Sequence, residues 1–283
     1  MTQKWMLSAF ADEAGSDIQV QIDALKKHGI DAFELRGVNG RNITQFSIEE
    51  AKELKKRIAD NGLQVWSIGS PIGKISILDD FAPHLDLYKH TLELADVLGA
   101  SALRMFSFYM PQEQNVEQYR DPVLERLQQM LDVAKGSNVL LCHENEKGIY
   151  GDNAQRCLEL HQALPELKGV FDPANFIQCG QDVAEAWEML APYVTYLHIK
   201  DADASGQVLP AGMGIGHLPE IIPAYLKQGG RVMTLEPHLS VFEGLSALEQ
   251  EQKSQVGVMA YPSQLAAFAA AVDALKNILE ANR

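Results

Sequence analysis

The feature that most constrains this chain is a rhythm. A short apolar or β-branched run leads into a polar loop, then an amphipathic helical stretch, then often a glycine, and the pattern recurs eight times in 283 residues. The runs are "KWMLSAF", "IDAFEL" (30–35), "LQVWSIG" (63–69), "SALRMFSF" (101–108), "NVLLCHE" (138–144), "KGVFD" (168–172), "VTYLHIK" (194–200) and "RVMTLE" (231–236). Each reads as a strand. Between the first two, Ser16 has the place of an N-cap, Ile18, Ile22 and Leu25 share a helical face, and Gly29 stops the helix. Ser47 and Glu50 have capping-box spacing ahead of Ala51, Leu54 and Ile58, with Gly62 as the stop. A helix over 84–98 ends at Gly99; Asp121 and Pro122 suit the cap and first position of the next, which carries Leu124, Leu127, Leu131 and Ala134 and ends at Gly136. Further helices are expected near 153–164, 182–190, 218–227 and 262–281.

Eight β-then-α units predict an α/β fold, a (β/α)8 TIM barrel, which takes roughly 250 residues. A doubly wound open sheet is the competing reading. It calls for a glycine-rich turn after the first strand, and "SAFADEAGSD" offers none. The glycines of "GMGIG" (212–216) sit in a loop, where a tight turn explains them. No linker or composition break divides the chain, so residues 1–283 are read as one domain.

Composition narrows the function. The chain is 46% hydrophobic with no apolar stretch near the roughly 20 residues a membrane span needs, so no membrane partner is expected. The net charge of −14 argues against a nucleic-acid partner. Cys142, Cys157 and Cys179 lack metal-ligand spacing and read as reduced thiols of a cytoplasmic protein. "MTQKWMLSAFADEAG" has no long apolar core, so no signal peptide is expected.

Chemistry gathers at the strand ends. The fifth run ends at Glu144, the sixth at Asp172, the seventh reaches His198 and the eighth ends at Glu236. In a parallel barrel these ends share one rim, where active sites are built. Alternation places Cys142 and Leu140 inward with Glu144, Thr234 and Val232 inward with Glu236, and His143 outward. Taken singly, Asp172 before Pro173 reads as a helix cap and His198 as a core histidine. At four consecutive strand ends the set reads as a site for one divalent ion, Mn²⁺, Mg²⁺, Co²⁺ or catalytic Zn²⁺. Such an ion also accounts for carboxylates that otherwise repel one another.

The stretches "SAFADE", "FELRG", "HENEKGIYGD", "GVFDPANF", "LHIKD", "GMGIGHL" and "TLEPH" resemble the sugar isomerase/epimerase superfamily of xylose-isomerase-like TIM barrels, nearly end to end. The resemblance implies a metal held by Glu144, Asp172, His198 and Glu236, with Glu144 and Glu236 doubling as the acid/base pair. Ketose 3-epimerases of that superfamily place a histidine three residues after the aspartate; this chain has Asn175 there.

The expected chemistry is metal-assisted proton removal beside a carbonyl, with the proton returned to the adjacent carbon or to the opposite face. Glu34, Arg104, Asn175, Lys200 and His238 are the substrate-binding candidates, with Arg36 a further rim residue. An Arg104–Glu34 ion pair is a compatible role for Arg104. Trp66 reads as core and His217 as a helix start, with sugar stacking and reach into the site as their alternatives. No phosphate cradle is evident, so the substrate is expected to be a small unphosphorylated sugar, keto-sugar or inositol derivative. A dehydratase acting through the same enediolate is the alternative enzyme. A DNA-repair endonuclease and a non-catalytic sugar-binding barrel are less favoured. The long segment "PHLSVFEGLSALEQEQKSQVGVMAYPS" suits a lid or a homo-oligomer contact.

Overall fold

The computed structural model describes residues 5–112, 115–242 and 259–282. Eight parallel strands close into a barrel: β1 (Met6–Ala9), β2 (Ala32–Leu35), β3 (Gln64–Gly69), β4 (Ala102–Met105), β5 (Leu140–Glu144), β6 (Lys168–Phe171), β7 (Val194–Ile199) and β8 (Val232–Leu235). Each pairs with its sequence neighbours, and β1 closes the ring on β8 through Met6 opposite Val232 and Ser8 opposite Thr234. The open-sheet alternative is therefore excluded.

Nine α-helices are resolved among the described residues: α1 (Ile18–His28), α2 (Ile48–Asp60), α3 (Phe81–Leu98), α4 (Arg120–Ala134), α5 (Ala154–Ala163), α6 (Pro173–Gln178), α7 (Val183–Leu190), α8 (Leu218–Lys227) and α9 (Gln264–Ala281). The Ser47–Glu50 capping box at α2 is formed as expected. Two caps differ from expectation. Asp17, one residue after Ser16, caps α1 because its carboxylate takes the N–H groups of Gln19 and Val20. Helix α4 begins at Arg120, so Asp121 and Pro122 lie within its first turn and Asp121 is not the cap. The short α6 begins directly after β6, where Asp172 before Pro173 reads as a helix cap; its six residues carry too little periodicity to signal its length.

The buried faces of the helices pack on the outside of the barrel as one continuous core. Inside the barrel a smaller cluster of Ala102, Cys142, Val170, Tyr196 and Val232 fills the lower layer, with Trp66 half-buried against it. Cys142 and Val232 are thus inward, as alternation requires. His143 points the other way, bonded to Ser107 Oγ at 2.9 Å and edge-on to His161. No helix is long and apolar enough to cross a membrane among the described residues. Most of the proposed lid segment lies outside the described residues.

Candidate metal centre

Glu144 is the last residue of β5, and Asp172, directly after β6, caps α6. His198 lies within β7, and Glu236 directly follows β8. All four are buried, and one ligand atom from each lies within 4.8 Å of the others. His198 Nδ1 stands 3.0 Å from Glu144 Oε1, 3.3 Å from Glu236 Oε2 and 4.0 Å from Asp172 Oδ2. The strand-end residues singled out in the sequence are brought to one point.

Each of these side chains is aimed by a second set of contacts. Asp172 divides its work: Oδ1 accepts the Asn175 N–H as helix cap at 3.0 Å, and Oδ2 faces the centre. Capping and ion binding are therefore not alternatives for this residue. Asn145 clamps the Asp172 backbone, its Oδ1 taking the Asp172 N–H and its Nδ2 donating to the Asp172 carbonyl, at 3.0 and 2.9 Å. Asn175 Nδ2 donates to Glu144 Oε1 at 3.2 Å and to the Asn145 carbonyl at 2.9 Å. Arg104 donates to Glu144 Oε2 at 2.9 Å and to the Ser70 carbonyl. The Arg104–Glu34 pairing considered from sequence is thus replaced by Arg104–Glu144.

Glu34, expected as a substrate contact, has both carboxylate oxygens engaged by protein groups. It sits behind His198, with Oε2 at 3.2 Å from Nε2 and Oε1 taking the Tyr196 hydroxyl at 2.8 Å. A carboxylate behind the imidazole fixes ring orientation and turns Nδ1 to the centre, the arrangement usual for a metal-binding histidine. Lys200 Nζ lies 2.7 Å from Asp172 Oδ2 and 3.0 Å from Glu236 Oε2. The ammonium is not aligned for a hydrogen bond to Asp172, so this buried oxygen has no hydrogen-bond donor.

A second cluster adjoins Glu236. Arg36 donates to Asp12 through Nε and Nη2 at 2.9 and 3.0 Å, to Glu13 at 3.1 Å and to Glu236 Oε1 at 3.4 Å. Its guanidinium lies against the Phe10 and Phe242 rings. The His238 N–H donates to Glu13 Oε2 at 2.6 Å, and its backbone is left-handed, φ 45°. Its Nδ1 is buried without a partner, 3.6 Å from Glu236 Oε1. Asp12 and Glu13 were missed in the sequence. The strand-end rule, applied to "SAFADE" after β1, points to them. His217 holds the N-cap position of α8 with no capping hydrogen bond from its side chain, which is exposed 4.0 Å from Glu220 and takes no part in the centre. Trp66 packs on Tyr196 inside the barrel.

The electrostatics follow from these contacts. Burial pushes the Glu144 carboxyl up, but His198 and Arg104 outweigh it and hold the group down at about 2. Burial likewise opposes ionisation of Glu236, and Lys200 and His198 hold it well below the usual carboxylate range. Burial dominates at Asp172 and pushes it up to about 7 against the pull of Lys200. His198 is driven toward neutrality by burial, but Glu144 and Glu34 hold it well above the ordinary imidazole value. Three carboxylates and one imidazole, with a ligand atom from each meeting at one buried point, fit a divalent cation bound mostly through oxygen.

Residues 22–258 match the family model described as xylose isomerase-like TIM barrel. A 3-dehydroshikimate dehydratase of Bacillus anthracis is 20% identical over 181 residues, 63% of this chain and 64% of that protein. The chain therefore spans a little under two thirds of that relative's length. The structure of a D-psicose 3-epimerase with D-tagatose, from Clostridium cellulolyticum H10, aligns with a TM-score of 0.72 at 16% identity, covering 98% of this chain and 99% of that one. A xylose isomerase-like TIM barrel protein from Mycobacterium smegmatis in complex with magnesium aligns with a TM-score of 0.69 at 16% identity, covering 100% of both.

Proposed function

The chain belongs to the xylose isomerase-like TIM barrel family, and on that premise we propose that it is a divalent-metal-dependent isomerase or epimerase of a sugar or keto-sugar. The convergence of Glu144, Asp172, His198 and Glu236 on one buried point carries the reading. The magnesium complex and the epimerase among its structural relatives support it.

Glu144, Asp172, His198 and Glu236 would hold the divalent ion, and its chemistry would be that of a Lewis acid for a carbonyl with an acidic neighbouring C–H. Glu236, kept ionised beside Lys200 and Arg36, takes that proton. For isomerisation Glu236 gives the same proton back; for epimerisation Glu144 delivers a proton it has first taken from solvent, Glu236 releases its own to solvent, and Arg104 on Oε2 with Asn175 on Oε1 keeps the Glu144 carboxyl in one aim. Delivery to the adjacent carbon isomerises; delivery to the opposite face of the same carbon epimerises. Lys200 and His238, beside Glu236, orient substrate hydroxyls.

The test is incubation of the Mn²⁺-loaded protein with ketoses, keto-sugars and inososes in D₂O. Deuterium entering one carbon, or an isomer formed without it, is the expected result, and a panel that gives neither counts against the reading. Glu236→Gln should abolish turnover while retaining measurable metal binding; an active variant would sink the role given to Glu236.

Asn175 favours a second reading. It stands where the ketose 3-epimerases that the chain resembles place a histidine, and a relative from Bacillus anthracis is a dehydratase. In that reading the same proton removal is followed by loss of a β-hydroxyl from an inosose or keto-acid, with the Lys200 ammonium protonating the leaving oxygen. Product analysis separates the two, since elimination releases water and leaves an unsaturated or deoxy product.

A further inference from the structure

We propose that the chain carries a second small-molecule site, on the outer wall of the barrel, that takes a zwitterionic aliphatic amino acid of the size of leucine.

The site is a cavity of about 260 Å³ where α1, α2 and the hairpin after β2 meet. None of its lining residues belongs to the metal centre. At roughly 30 Å³ for each, the share of one water in the liquid, it has room for about nine non-hydrogen atoms. That suits a free amino acid with a branched aliphatic side chain and is short of a drug-sized ligand.

The walls are set before any ligand arrives. Gly37–Val38 and Arg41–Asn42 pair as a hairpin. Its turn residue Asn39, at φ 52°, donates its N–H to the Ser16 carbonyl at 2.7 Å and accepts the Ile18 N–H on Oδ1 at 3.0 Å. The hairpin tip is thereby pinned to the start of α1. Arg41 lies over the Phe46 ring at 4.5 Å and donates to Glu50 at 2.8 Å, which ties the other strand of the hairpin to α2. Glu50 is itself fixed by the capping box with Ser47. Ile18, Val38, Phe46 and Leu54 make an apolar floor. A preformed cavity spares its ligand part of the ordering cost of binding.

Two charges on the rim are unspent. Glu53 and Arg57 both line the cavity, one turn apart on α2, a spacing at which opposite charges usually meet. They do not pair here. Arg57 turns toward α1 and donates to Gln19 Oε1 at 3.0 Å, which leaves most of its guanidinium N–H groups open. Among the described residues the Glu53 carboxylate has no hydrogen-bond or ion-pair partner. A cation and an anion one turn apart above an apolar floor match the carboxylate, ammonium and side chain of an α-amino acid. The charged rim is balanced, Arg41 and Arg57 against Glu50 and Glu53, so a zwitterion adds no net charge to it. A simple carboxylate would sit on Arg57 with Glu53 beside it as a second negative charge, and a simple amine would face Arg57 in the same way. Both groups are solvent-exposed, so the expected affinity is millimolar.

The test is an amide NMR titration of the protein in Mg²⁺-containing buffer with L-leucine. Saturating shifts at Val38, Asn39, Phe46, Glu53 and Arg57 are the expected result. 4-Methylpentanoate, which lacks the ammonium, and 3-methylbutylamine, which lacks the carboxylate, should each bind at least about fivefold more weakly, the upper end of what an exposed ion pair contributes. Arg57→Gln and Glu53→Gln should each weaken leucine by about the same factor, and Asp60→Asn, on the same helix, should not. All three positions are exposed, so each variant should keep the native amide spectrum. Absence of any saturable shift at these amides, with leucine up to its solubility, overturns the proposal. So does 4-methylpentanoate binding as well as leucine, or a leucine affinity unchanged in both variants. Shifts confined to the metal centre overturn it too, leucine then acting as a chelator there.

Discussion

Substituting Asp201 by asparagine tests how the rim beside the centre is built. The Asp201 carboxylate is buried and accepts four backbone N–H groups. Oδ1 takes those of Ala202 and Gly216 at 2.9 and 2.8 Å; Oδ2 takes those of Gly212 and Gly214 at 2.9 and 3.1 Å. This is why "GMGIG" is glycine-rich: Gly212 has φ +79°, and a Cβ on Gly216 would lie 2.6 Å from Asp201 Oδ1 and 3.1 Å from Pro173 Cβ. The loop is thus wrapped on one carboxylate and pressed against the start of α6, next to Asp172. In Asp201→Asn one oxygen still serves two N–H groups, while the new amide NH₂ faces the other two. Flipping the amide only exchanges which pair is lost, because the two oxygens carry equal loads. Two hydrogen bonds to a charged group disappear, at about 1.5–3 kcal/mol each, so the expected loss is about 3–6 kcal/mol. Urea unfolding of the wild type and variant measures it. Asp60→Asn is the control: it removes an exposed pair with Lys56 and should cost under about 1 kcal/mol. A loss in Asp201→Asn no larger than the control's refutes the account of the loop. If the fold loss is as expected, Mn²⁺ affinity should fall too, since Asp172 leans on the same contact.

Arg104→Met leaves Glu144 buried without its cation and should cost about 3–5 kcal/mol in urea unfolding; a smaller loss than in the Asp60 control means the pair is not the anchor described. Lys200→Met removes the ammonium that competes for Asp172 Oδ2 and Glu236 Oε2, so calorimetry should show Mn²⁺ binding at least tenfold more tightly; weaker binding means that Lys200 helps to form the site. His84 is buried and its Nε2 accepts the Gly73 N–H at 2.8 Å; burial, then Arg126, lower its pKa to about 4 from an ordinary 6.5. The native state therefore binds fewer protons than the unfolded one between these values, so stability is full above pH 6.5 and is lost as pH falls toward 4. Between pH 7 and pH 5 this amounts to at most about 2 kcal/mol. His84→Gln keeps the acceptor without titrating and should flatten that part of the pH–stability curve; an unchanged slope contradicts the assignment.

The barrel was legible because its signals are periodic. Eight apolar runs separated by capped, one-faced helices leave few topologies, and the strands form at those places, trimmed by a residue or two at most ends. The fourth run lost more: Phe106 and Phe108 leave the strand to bond Ile72 and Gly73 backbone carbonyls, and Phe108 takes φ 66°, which no hydropathy pattern encodes. The four candidate ligands were legible because strand ends share a rim. The partners were not, because pairing between side chains is long-range. Arg104 reaches Glu144 on the adjacent strand, Arg36 reaches Asp12, Glu13 and Glu236, and Glu34 passes behind His198. Sequence parity gives each side chain a direction but not which of several neighbouring acids it meets.

Those partners explain how so much negative charge is kept in one place. Like charges at this density would push the strand ends apart or force the carboxyls to protonate. Arg104, Arg36 and Lys200 each draw one or more carboxylates toward themselves from a different side of the barrel. Neutral amides do the finer work: Asn145 ties β5 to the backbone of Asp172, and Asn175 ties α6 back to Glu144. The two asparagines therefore cross-link two of the four candidate ligands without adding charge. A histidine in place of Asn175 would bring a titratable group, yet it could not make the same pair of amide N–H bonds to Glu144 and the Asn145 carbonyl. Asn175→His should accordingly loosen the Glu144–Asp172 geometry and weaken Mn²⁺ binding. If calorimetry shows metal affinity retained in that variant, the amide network is not what holds these two carboxylates in place.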